Sequence, residues 1–320
     1  MLKLYWQLFR GYNLLMIACT MLVLHVFHTL ISANAPLEIP FSFIMLVISI
    51  MFIAAGGNCI NDCMDTVSDQ FNHKALLISP QGISASHALK CYIAVTAAGL
   101  VTAIVPALEL HSYLFYTVFP LSAISLYLYS KYLKRRPLIG NITVATLTAM
   151  VIITQFLYYH LSCSGHQEAI SSPSVFFTGH LWAGTAAFAF WLTLIRELVK
   201  TMEDVDGDAV AAFHTIAVIK GIPYTKNITA ACTIPLIIAL LLVPAGLLAE
   251  NNLPLTITCR IIISTYFVLS VCIPSIILLY KIIHIRSSRD CHQASRLTKI
   301  IMLNGIFTFL TITLLHILIC

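Results

Sequence analysis

Long apolar segments make up most of the chain, and short polar segments that carry several of its prolines separate them. A helix that spans a membrane needs about 20 consecutive apolar residues. Nine segments approach or exceed that length, with Pro80, Pro137 and Pro223 between them, where helices are expected to break. The predicted spans are 12–33, 38–60, 84–107, 112–130, 138–161, 176–198, 226–249, 258–284 and 297–319. The pattern therefore predicts an all-α polytopic membrane protein, with about nine transmembrane helices in one bundle and one domain over residues 1–320.

The composition agrees with a membrane environment. Of the 320 residues, 59% are hydrophobic and 10% are charged, whereas a soluble domain has about 25% charged residues. The ten cysteines are spread along the chain without the spacing of a zinc site, so neither disulfides nor structural zinc are expected. Lys3 and Arg10 precede an apolar run that is longer than that of a signal peptide, and the first segment is therefore expected to be a retained helix.

The positions of the basic residues predict the orientation of the chain in the membrane. If the chain has nine spans and a cytoplasmic N-terminus, every Lys and Arg except Arg260 lies in or next to a cytoplasmic segment. The sequence thus predicts an integral protein of the cell (inner) membrane with its C-terminus outside. The lipid bilayer is its expected surroundings, and no nucleic acid partner is expected.

Two acidic stretches follow the second and the sixth predicted span, on the same side of the membrane. The first ends in Asn61, Asp65 and Asp69, which recur every four residues and so share one helix face. Asp204 and Asp208 repeat this spacing in the second stretch, and each follows its counterpart in the first stretch by 139 residues. The pattern is typical of a parallel internal repeat.

The chemistry of the two stretches points to a hard cation. Carboxylate and amide oxygens are ligands that Mg²⁺ prefers, and Mg²⁺ commonly shares its coordination shell with substrate phosphates and water. The sequence thus predicts a cytoplasmic-facing Mg²⁺ site that holds a diphosphate. Four basic residues on the same side are candidates to neutralise the diphosphate: Lys74, Lys134, Arg196 and Lys200.

Five short motifs combine polar and charged residues near the cytoplasmic ends of the spans. They are Arg10-Gly11-Tyr12-Asn13, Asn61-Asp62-x-x-Asp65-x-x-x-Asp69, Tyr129-Ser130-x-x-Leu133-Lys134, Gly140-Asn141 and Arg196-Glu197-x-x-Lys200-x-x-Glu203-Asp204-x-x-Gly207-Asp208. Together they resemble the motifs of the UbiA superfamily of intramembrane prenyltransferases. The resemblance covers nearly the whole chain and includes the number of spans.

The resemblance implies a function and a set of site residues. The function is Mg²⁺-dependent transfer of a polyprenyl group from a polyprenyl diphosphate donor to a lipophilic acceptor, aromatic or lipid, within the membrane, with release of diphosphate. The implied catalytic residues are Asp65, Asp69, Asp204 and Asp208, and these four and Asn61 are the implied Mg²⁺ ligands. The implied substrate-binding residues are Asn13, Asn61, Asp62, Lys74, Lys134, Asn141, Arg196, Lys200 and His214.

Two departures from the family pattern concern the charge around the diphosphate. Members often continue the first motif with Asn-Lys-Pro-x-Arg, whereas this chain has Asn72-His73-Lys74-Ala75-Leu76 and lacks the Pro and the Arg. After the second motif a basic residue followed by Thr-Leu-Pro is usual, and this chain has His214-Thr215-Ile216-Ala217. Lys74 and His214 are the candidates to supply the missing charge.

Alternatives to this function remain open at the level of the sequence. A polytopic transporter or binding protein for a phosphorylated lipid would require broken helices at the bilayer midplane, whereas the polar residues here lie at helix ends. A UbiA-like protein that is inactive or cyclises its donor is a further alternative, because the usual Arg is missing at Leu76. The acceptor is also open between a glycerol-phosphate lipid, a chlorophyll precursor and an aromatic quinone precursor.

Overall fold

The computed structural model describes residues 2–32, 35–72, 78–79, 82–162, 173–249 and 255–319. The described chain is built from helices, with a single isolated bridge between Ile78 and Ile83. The helices are α1 (Leu2–Leu8), α2 (Gly11–Phe27), α3 (Phe41–Met64), α4 (Thr66–Phe71), α5 (Ala85–Thr102), α6 (Ile104–Glu109), α7 (Tyr113–Leu128), α8 (Ile139–Ser162), α9 (Pro173–Glu203), α10 (Val205–Val210), α11 (Ile216–Ala249), α12 (Ile257–Phe267), α13 (Ile273–Ile283) and α14 (Ser288–Ile319).

Seven helical segments in the described ranges are long and apolar enough to cross a membrane. They are Gly11–Ile31, Phe41–Met64, Ala85–Glu109, Ile139–Ser162, Ile216–Ala249, Ile257–Ile283 and Ser288–Leu318. The other two predicted spans coincide with α7, which has 16 residues, and α9, which has 31 residues and ends in charged turns. The prediction of an all-helical integral membrane protein is therefore confirmed, while the count of nine spans stays a prediction.

Among the residues that the structure describes, three π-helical segments continue or join the long helices: His28–Ser32 after α2, Tyr129–Leu133 after α7, and Val268–Cys272 between α12 and α13. Such segments widen a helix locally and are frequent at functional sites. The second segment carries one of the predicted motifs, and it ends directly before Lys134. The local change of helix geometry thus lies where the sequence predicts a substrate-binding residue.

The two largest apolar cores in the described chain lie on either side of the bundle's long helices. The first includes Phe43 and Leu46 of α3, which packs against α2, α5 and α7, and the second includes Leu192 and Ile195 of α9, which packs against α11 and α14. Side chains of α2, α3, α8, α9, α11 and α14 line a cavity of about 1810 Å³. Its wall is apolar over most of the helix length and polar where the two acidic stretches lie. The packing therefore places the two predicted clusters of acids at one end of a long apolar cavity.

Candidate active site

The two acidic stretches have the same backbone conformation. α3 ends at Met64, and Asp65 has φ −97° and ψ 0° before the six-residue helix α4 begins. α9 ends at Glu203, and Asp204 has φ −98° and ψ 7° before the six-residue helix α10 begins. The N–H of each Asp still donates to the carbonyl four residues earlier, at 3.0 Å in the first stretch and 2.9 Å in the second. The repeat that the sequence spacing predicts is thus also present in the backbone.

The short helices α4 and α10 pack directly against each other, and this contact brings the two stretches together. The side-chain amide of Asn72 accepts from the N–H of Gly207 at 3.0 Å and donates to the carbonyl of Asp204 at 3.4 Å. The Ser68 hydroxyl donates to Oδ1 of Asp208 at 2.9 Å. A Cβ at position 207 would overlap the Asn72 side chain and the Ser68 carbonyl oxygen, so a glycine is required for this close approach.

Asp65 lies at the centre of the first stretch and is buried. One oxygen of its carboxylate accepts from the Asn61 amide at 2.8 Å and from the Nζ of Lys134. Burial lowers the pKa of Lys134, but the charge of Asp65 raises it, and the balance lies above the usual value. Lys134 therefore carries its charge at neutral pH and partly neutralises the buried carboxylate.

Two oxygens beside this ion pair are buried and have no hydrogen-bond partner, namely Oδ1 of Asp65 and Oδ1 of Asn61. A buried polar atom without a partner costs about 1–3 kcal/mol, and more when it is charged. Both atoms belong to residues of the cavity wall. Because both are hard oxygen acceptors, these residues fit a hard cation such as Mg²⁺.

Asp208 is the buried carboxyl of the second stretch. Burial is the main cause that raises its pKa, to about 6, with a further contribution from the charges of Asp204 and Asp65, while Lys134 and the hydrogen bond from Ser68 act in the opposite direction. Burial thus disfavours the charged form of this carboxyl more than Lys134 and Ser68 favour it. A cation bound beside Asp208 would favour the charged form.

The carboxylates are spread over the end of the cavity rather than gathered at one point. Within the described ranges, no three His, Cys, Asp or Glu side chains lie close enough together to hold a metal ion by themselves. Mg²⁺ is usually bound by one or two carboxylates together with water and substrate phosphates, instead of by an all-protein cage. The arrangement therefore fits a cation that is held jointly by the protein and a diphosphate.

Most of the predicted site residues line this cavity: Asn13, Asn61, Asp65, Asp69, Lys134, Asn141, Arg196, Lys200, Asp204 and Asp208. Asp62 is not part of the cavity wall. Its carboxylate accepts a hydrogen bond at 2.8 Å from Arg10, and Arg10 does belong to the wall. Asn141 donates to the Thr201 hydroxyl at 3.0 Å, across from α8 to α9. The structure therefore brings together side chains from both acidic stretches and from the segments before α2 and α8.

Two predicted substrate-binding residues are not brought into this group. His214 is exposed and does not belong to the cavity wall. Its backbone N–H donates at 2.9 Å to the backbone carbonyl of Arg135. The chain turns at Ala212, which has a positive φ of 55°, and after this turn Thr215, rather than His214, belongs to the cavity wall. Lys74, like Leu76, lies outside the described residues.

The sequence interpretation missed a group of cavity residues at the start of α14. They are His292, Ser295, Arg296 and Lys299. Their spacing of three or four residues places them on one helix face, which is a signal that the sequence contains. Arg296 and Lys299 support only the predicted orientation at the level of the sequence, because nothing in the sequence shows that α14 packs against α2 and α9.

The fold and the site define a class of protein: an integral membrane protein whose helices enclose an apolar cavity with an acidic and basic polar end. The UbiA prenyltransferase family matches residues 20–306, and the chain belongs to this family. The predicted family and the predicted enzyme class, a prenyltransferase, are thereby confirmed.

The chain is similar to archaeal relatives over nearly its full length. It is 30% identical to the digeranylgeranylglyceryl phosphate synthase of Saccharolobus solfataricus over 309 residues, which are 97% of this chain and 96% of the relative. It is 28% identical to the enzyme of that name from Methanopyrus kandleri, over 97% of this chain and 98% of the relative. A solved UbiA homolog from Archaeoglobus fulgidus, bound to DMAPP and Mg²⁺, has a TM-score of 0.58 at 17% identity and covers 95% of this chain and 98% of that chain. At 17% identity, this structural similarity shows that the two proteins share a fold.

Proposed function

We propose that the protein transfers a polyprenyl group from a prenyl diphosphate to a lipophilic acceptor within the membrane, with Mg²⁺ as its cofactor and diphosphate as the second product. The observation that carries this proposal is the division of the cavity wall. Acidic and basic side chains close one end, and apolar side chains such as Ile50, Phe119 and Phe309 line the rest. A prenyl diphosphate has the same division between a charged head and an apolar tail.

The diphosphate head is assigned to the end of the cavity where the two acidic stretches meet. Asn61, Asp65, Asp69, Asp204 and Asp208 are the residues that would hold Mg²⁺ there. The unpartnered oxygens of Asp65 and Asn61 support this assignment, as does the UbiA homolog that was solved with DMAPP and Mg²⁺. Bound Mg²⁺ stabilises the negative charge that develops on the departing diphosphate.

The chain's own side chains have three further tasks in this reaction. Lys134 lies against Asp65 at the polar end of the cavity, and its positive charge can stabilise the negative charge that develops on the diphosphate. The apolar wall keeps water away from the allylic carbon while its bond to the diphosphate oxygen breaks and its bond to the acceptor forms. Aromatic rings in the wall, such as Tyr129 and Trp191, can stabilise the positive charge on that carbon.

Incubation of the purified protein with Mg²⁺, prenyl diphosphates of graded length and a panel of acceptors tests the proposal. The acceptors are a prenylglycerol phosphate, a prenylglycerol and an aromatic quinone precursor. We expect diphosphate release together with a prenylated product, loss of both in EDTA, and recovery on addition of Mg²⁺. No diphosphate release with any pair of substrates would overturn the proposal. Diphosphate release with a cyclised prenyl product and no consumption of acceptor would indicate a cyclase instead.

We further propose that the polar end of the cavity faces the cytoplasm, which rests on the distribution of Lys and Arg. Single-cysteine labelling in sealed vesicles, in a cysteine-free background, tests this orientation. Asp206→Cys in α10 should react from the cytoplasmic side, and Ser112→Cys before α7 should react from the outer side. Reaction of Asp206→Cys from the outer side only would contradict the assignment.

A further inference from the structure

Three cysteines lie together where α3 packs against α5, next to the first acidic stretch. Cys59 is fully buried, and its thiol donates to the backbone carbonyl of Ala88 at 3.1 Å. Cys63 and Cys91 are half-buried and pack against the same apolar cluster as Cys59. The three side chains are not part of the cavity wall. The proposed reaction therefore gives them no role.

Cys59 and Cys63 are in direct contact. They are four residues apart and so share one face of α3, and their thiols lie within hydrogen-bonding reach of each other. Cys91 of α5 is within electrostatic range of Cys59. All three are free thiols. The structure thus presents a pair of touching thiols, one on a fully buried residue and one on a residue that is partly exposed.

This pair of thiols encloses the start of the first acidic stretch. Asn61 and Asp62 lie between the two cysteines, and Asp65 follows Cys63 by two residues. The carbonyl of Asn61 accepts from the N–H of Asp65 at 3.0 Å, and the carboxylate of Asp62 accepts from Arg10 at 2.8 Å. A change in this turn of α3 would therefore move residues that are proposed to hold the cation.

A bond between the two sulfur atoms would change this turn. In a regular α-helix the Cβ atoms of residues four apart lie about 5–6 Å from each other, whereas a disulfide brings them to about 3.5–4.5 Å. The turn from Cys59 to Cys63 would have to adjust by about 1–2 Å. It is the last turn of α3, which ends at Met64, and helix ends adapt more easily than helix interiors. A disulfide that strains its surroundings is also easily reduced again.

We propose that Cys59 and Cys63 are a site of reversible oxidation, at which a hydroperoxide converts the two thiols to a disulfide and thereby displaces Asn61 and Asp65 from the cation. The effect on the cation rests on the proposed function, whereas the formation of the disulfide does not. In a reducing cytoplasm the two thiols are the resting form. The disulfide would form only when hydroperoxides accumulate.

The oxidation balances in two steps. The sulfur of Cys63, on the more exposed residue, attacks the O–O bond of the hydroperoxide and becomes a sulfenic acid, while the hydroperoxide is reduced to an alcohol. The sulfur of Cys59 then attacks the sulfur of the sulfenic acid. The S–S bond forms, and the proton of the Cys59 thiol leaves with the hydroxyl of the sulfenic acid as water. The two thiols thus give two electrons to the hydroperoxide, and a reducing dithiol reverses the change by exchange.

The first experiment detects the disulfide itself. The purified protein is treated with tert-butyl hydroperoxide, its remaining thiols are alkylated in denaturant, and its peptides are analysed by mass spectrometry. We expect Cys59 and Cys63 to escape alkylation together, in a peptide that has lost two hydrogen atoms, and to be alkylated after treatment with dithiothreitol. Cys63→Ala should leave Cys59 free, and Cys91→Ala, the matched control, should still form the disulfide. Free thiols at both positions, or a disulfide of either residue with Cys91, would overturn the proposal, whether or not the protein is a prenyltransferase.

The second experiment measures the effect on the cation. Mn²⁺ binding to the metal-free protein is followed by electron paramagnetic resonance after the hydroperoxide has been removed. Oxidation should weaken binding by about tenfold or more, as loss of a group that orients a metal ligand does, and dithiothreitol should restore the starting affinity. Cys63→Ala should bind Mn²⁺ equally with and without prior oxidation, whereas Cys91→Ala should respond like the unchanged protein.

The outcomes separate the two proposals. Equal Mn²⁺ affinity of the reduced protein and of the protein that carries the disulfide would overturn the link between the thiols and the cation. If the reduced protein binds no Mn²⁺ at all, the proposed function fails, and mass spectrometry still decides whether Cys59 and Cys63 are a site of oxidation.

Discussion

The α3–α4 and α9–α10 junctions have the same backbone and different side chains. Each places a carboxylate at the break and another four residues later, but the residue four positions before the break is Asn61 in the first junction and Lys200 in the second. The amide of Asn61 donates to Asp65, whereas Lys200 lies on the cavity wall within electrostatic range of Arg196. The comparison indicates that the repeated backbone supplies two facing sets of carboxylates. The side chains around the repeat differ, because an amide precedes the carboxylates in the first junction and a cation precedes them in the second.

The interface between the two junctions is also unequal, although the same turn contributes to both sides. Ser68 and Gly207 hold equivalent positions in α4 and α10, and they meet where the two helices pack. The serine provides a hydroxyl that reaches across to Asp208, and the glycine provides the space that lets the serine come near. An exact repeat, with serine at both positions, would not pack this closely.

The largest effect is expected when either junction loses its central carboxylate. Asp65→Ala and Asp204→Ala should each lower turnover at least hundredfold, because both remove a proposed ligand at the place where the charge of the diphosphate develops. Asp206→Ala is the matched control, since Asp206 is an exposed acid of α10 outside the cavity wall, and it should retain turnover within twofold. Diphosphate release by purified, correctly inserted variants is the measurement. Turnover near that of the unchanged protein in either variant would show that the two junctions do not form one site.

A side chain at position 207 should separate the junctions without removing a charge. Gly207→Ala introduces a Cβ that overlaps Asn72 and the Ser68 carbonyl, and overpacking of this kind typically costs about 1–3 kcal/mol. We expect a loss of thermal stability and a rise in the Mg²⁺ concentration that is required for half-maximal activity, with a still larger effect for Gly207→Ser. Gly179→Ala in α9 is the control, because a Cβ there meets nothing within 4 Å. Equal stability of the Gly207→Ala and Gly179→Ala variants would show that α4 and α10 do not pack as described.

The sequence contains the features of this molecule that depend on local pattern. The apolar segments predict the helices, and acids spaced by four residues predict both acidic stretches, since these signals depend only on helix geometry. The positions of Arg296 and Lys299 on the cavity wall could not be predicted, because these residues reach the cavity only through the packing of α14 against α2 and α9. The exposed position of His214 likewise depends on the turn at Ala212. The residue types in that segment do not predict the positive φ of Ala212. The requirement for glycine at position 207 becomes visible only when α4 and α10 are placed side by side.

The second junction should make cation binding depend on pH. The pKa of Asp208 is raised to about 6 in the metal-free protein, mainly by burial. A carboxyl must be deprotonated to bind a cation, so affinity is retained above pH 6 and is lost as the pH falls through this value. We expect about tenfold weaker Mn²⁺ binding at pH 5 than at pH 7, measured by electron paramagnetic resonance with the metal alone, because a phosphate group titrates in the same range. Asp208→Asn should bind Mn²⁺ weakly at both pH values. An affinity of the unchanged protein that does not vary between pH 5 and 7 would contradict the role of Asp208.

The smallest effect is expected from the hydroxyl that joins the two junctions. Ser68→Ala removes the hydrogen bond to Asp208, and this bond acts to lower the pKa of that carboxyl. A hydrogen bond to a charged group contributes about 1.5–3 kcal/mol when it is fully buried. Water that enters beside the shortened side chain can replace part of it, so we expect a net change of about 1 kcal/mol, which is somewhat less than one pH unit. The midpoint of the pH dependence of Mn²⁺ binding should therefore move upward by about half a unit to one unit in Ser68→Ala. Gln70→Ala, an exposed change in the same short helix, should leave the midpoint where it is. A midpoint that moves downward in Ser68→Ala would mean that the hydroxyl stabilises the protonated carboxyl. The first junction would then not favour the charged form of Asp208 that binds a cation.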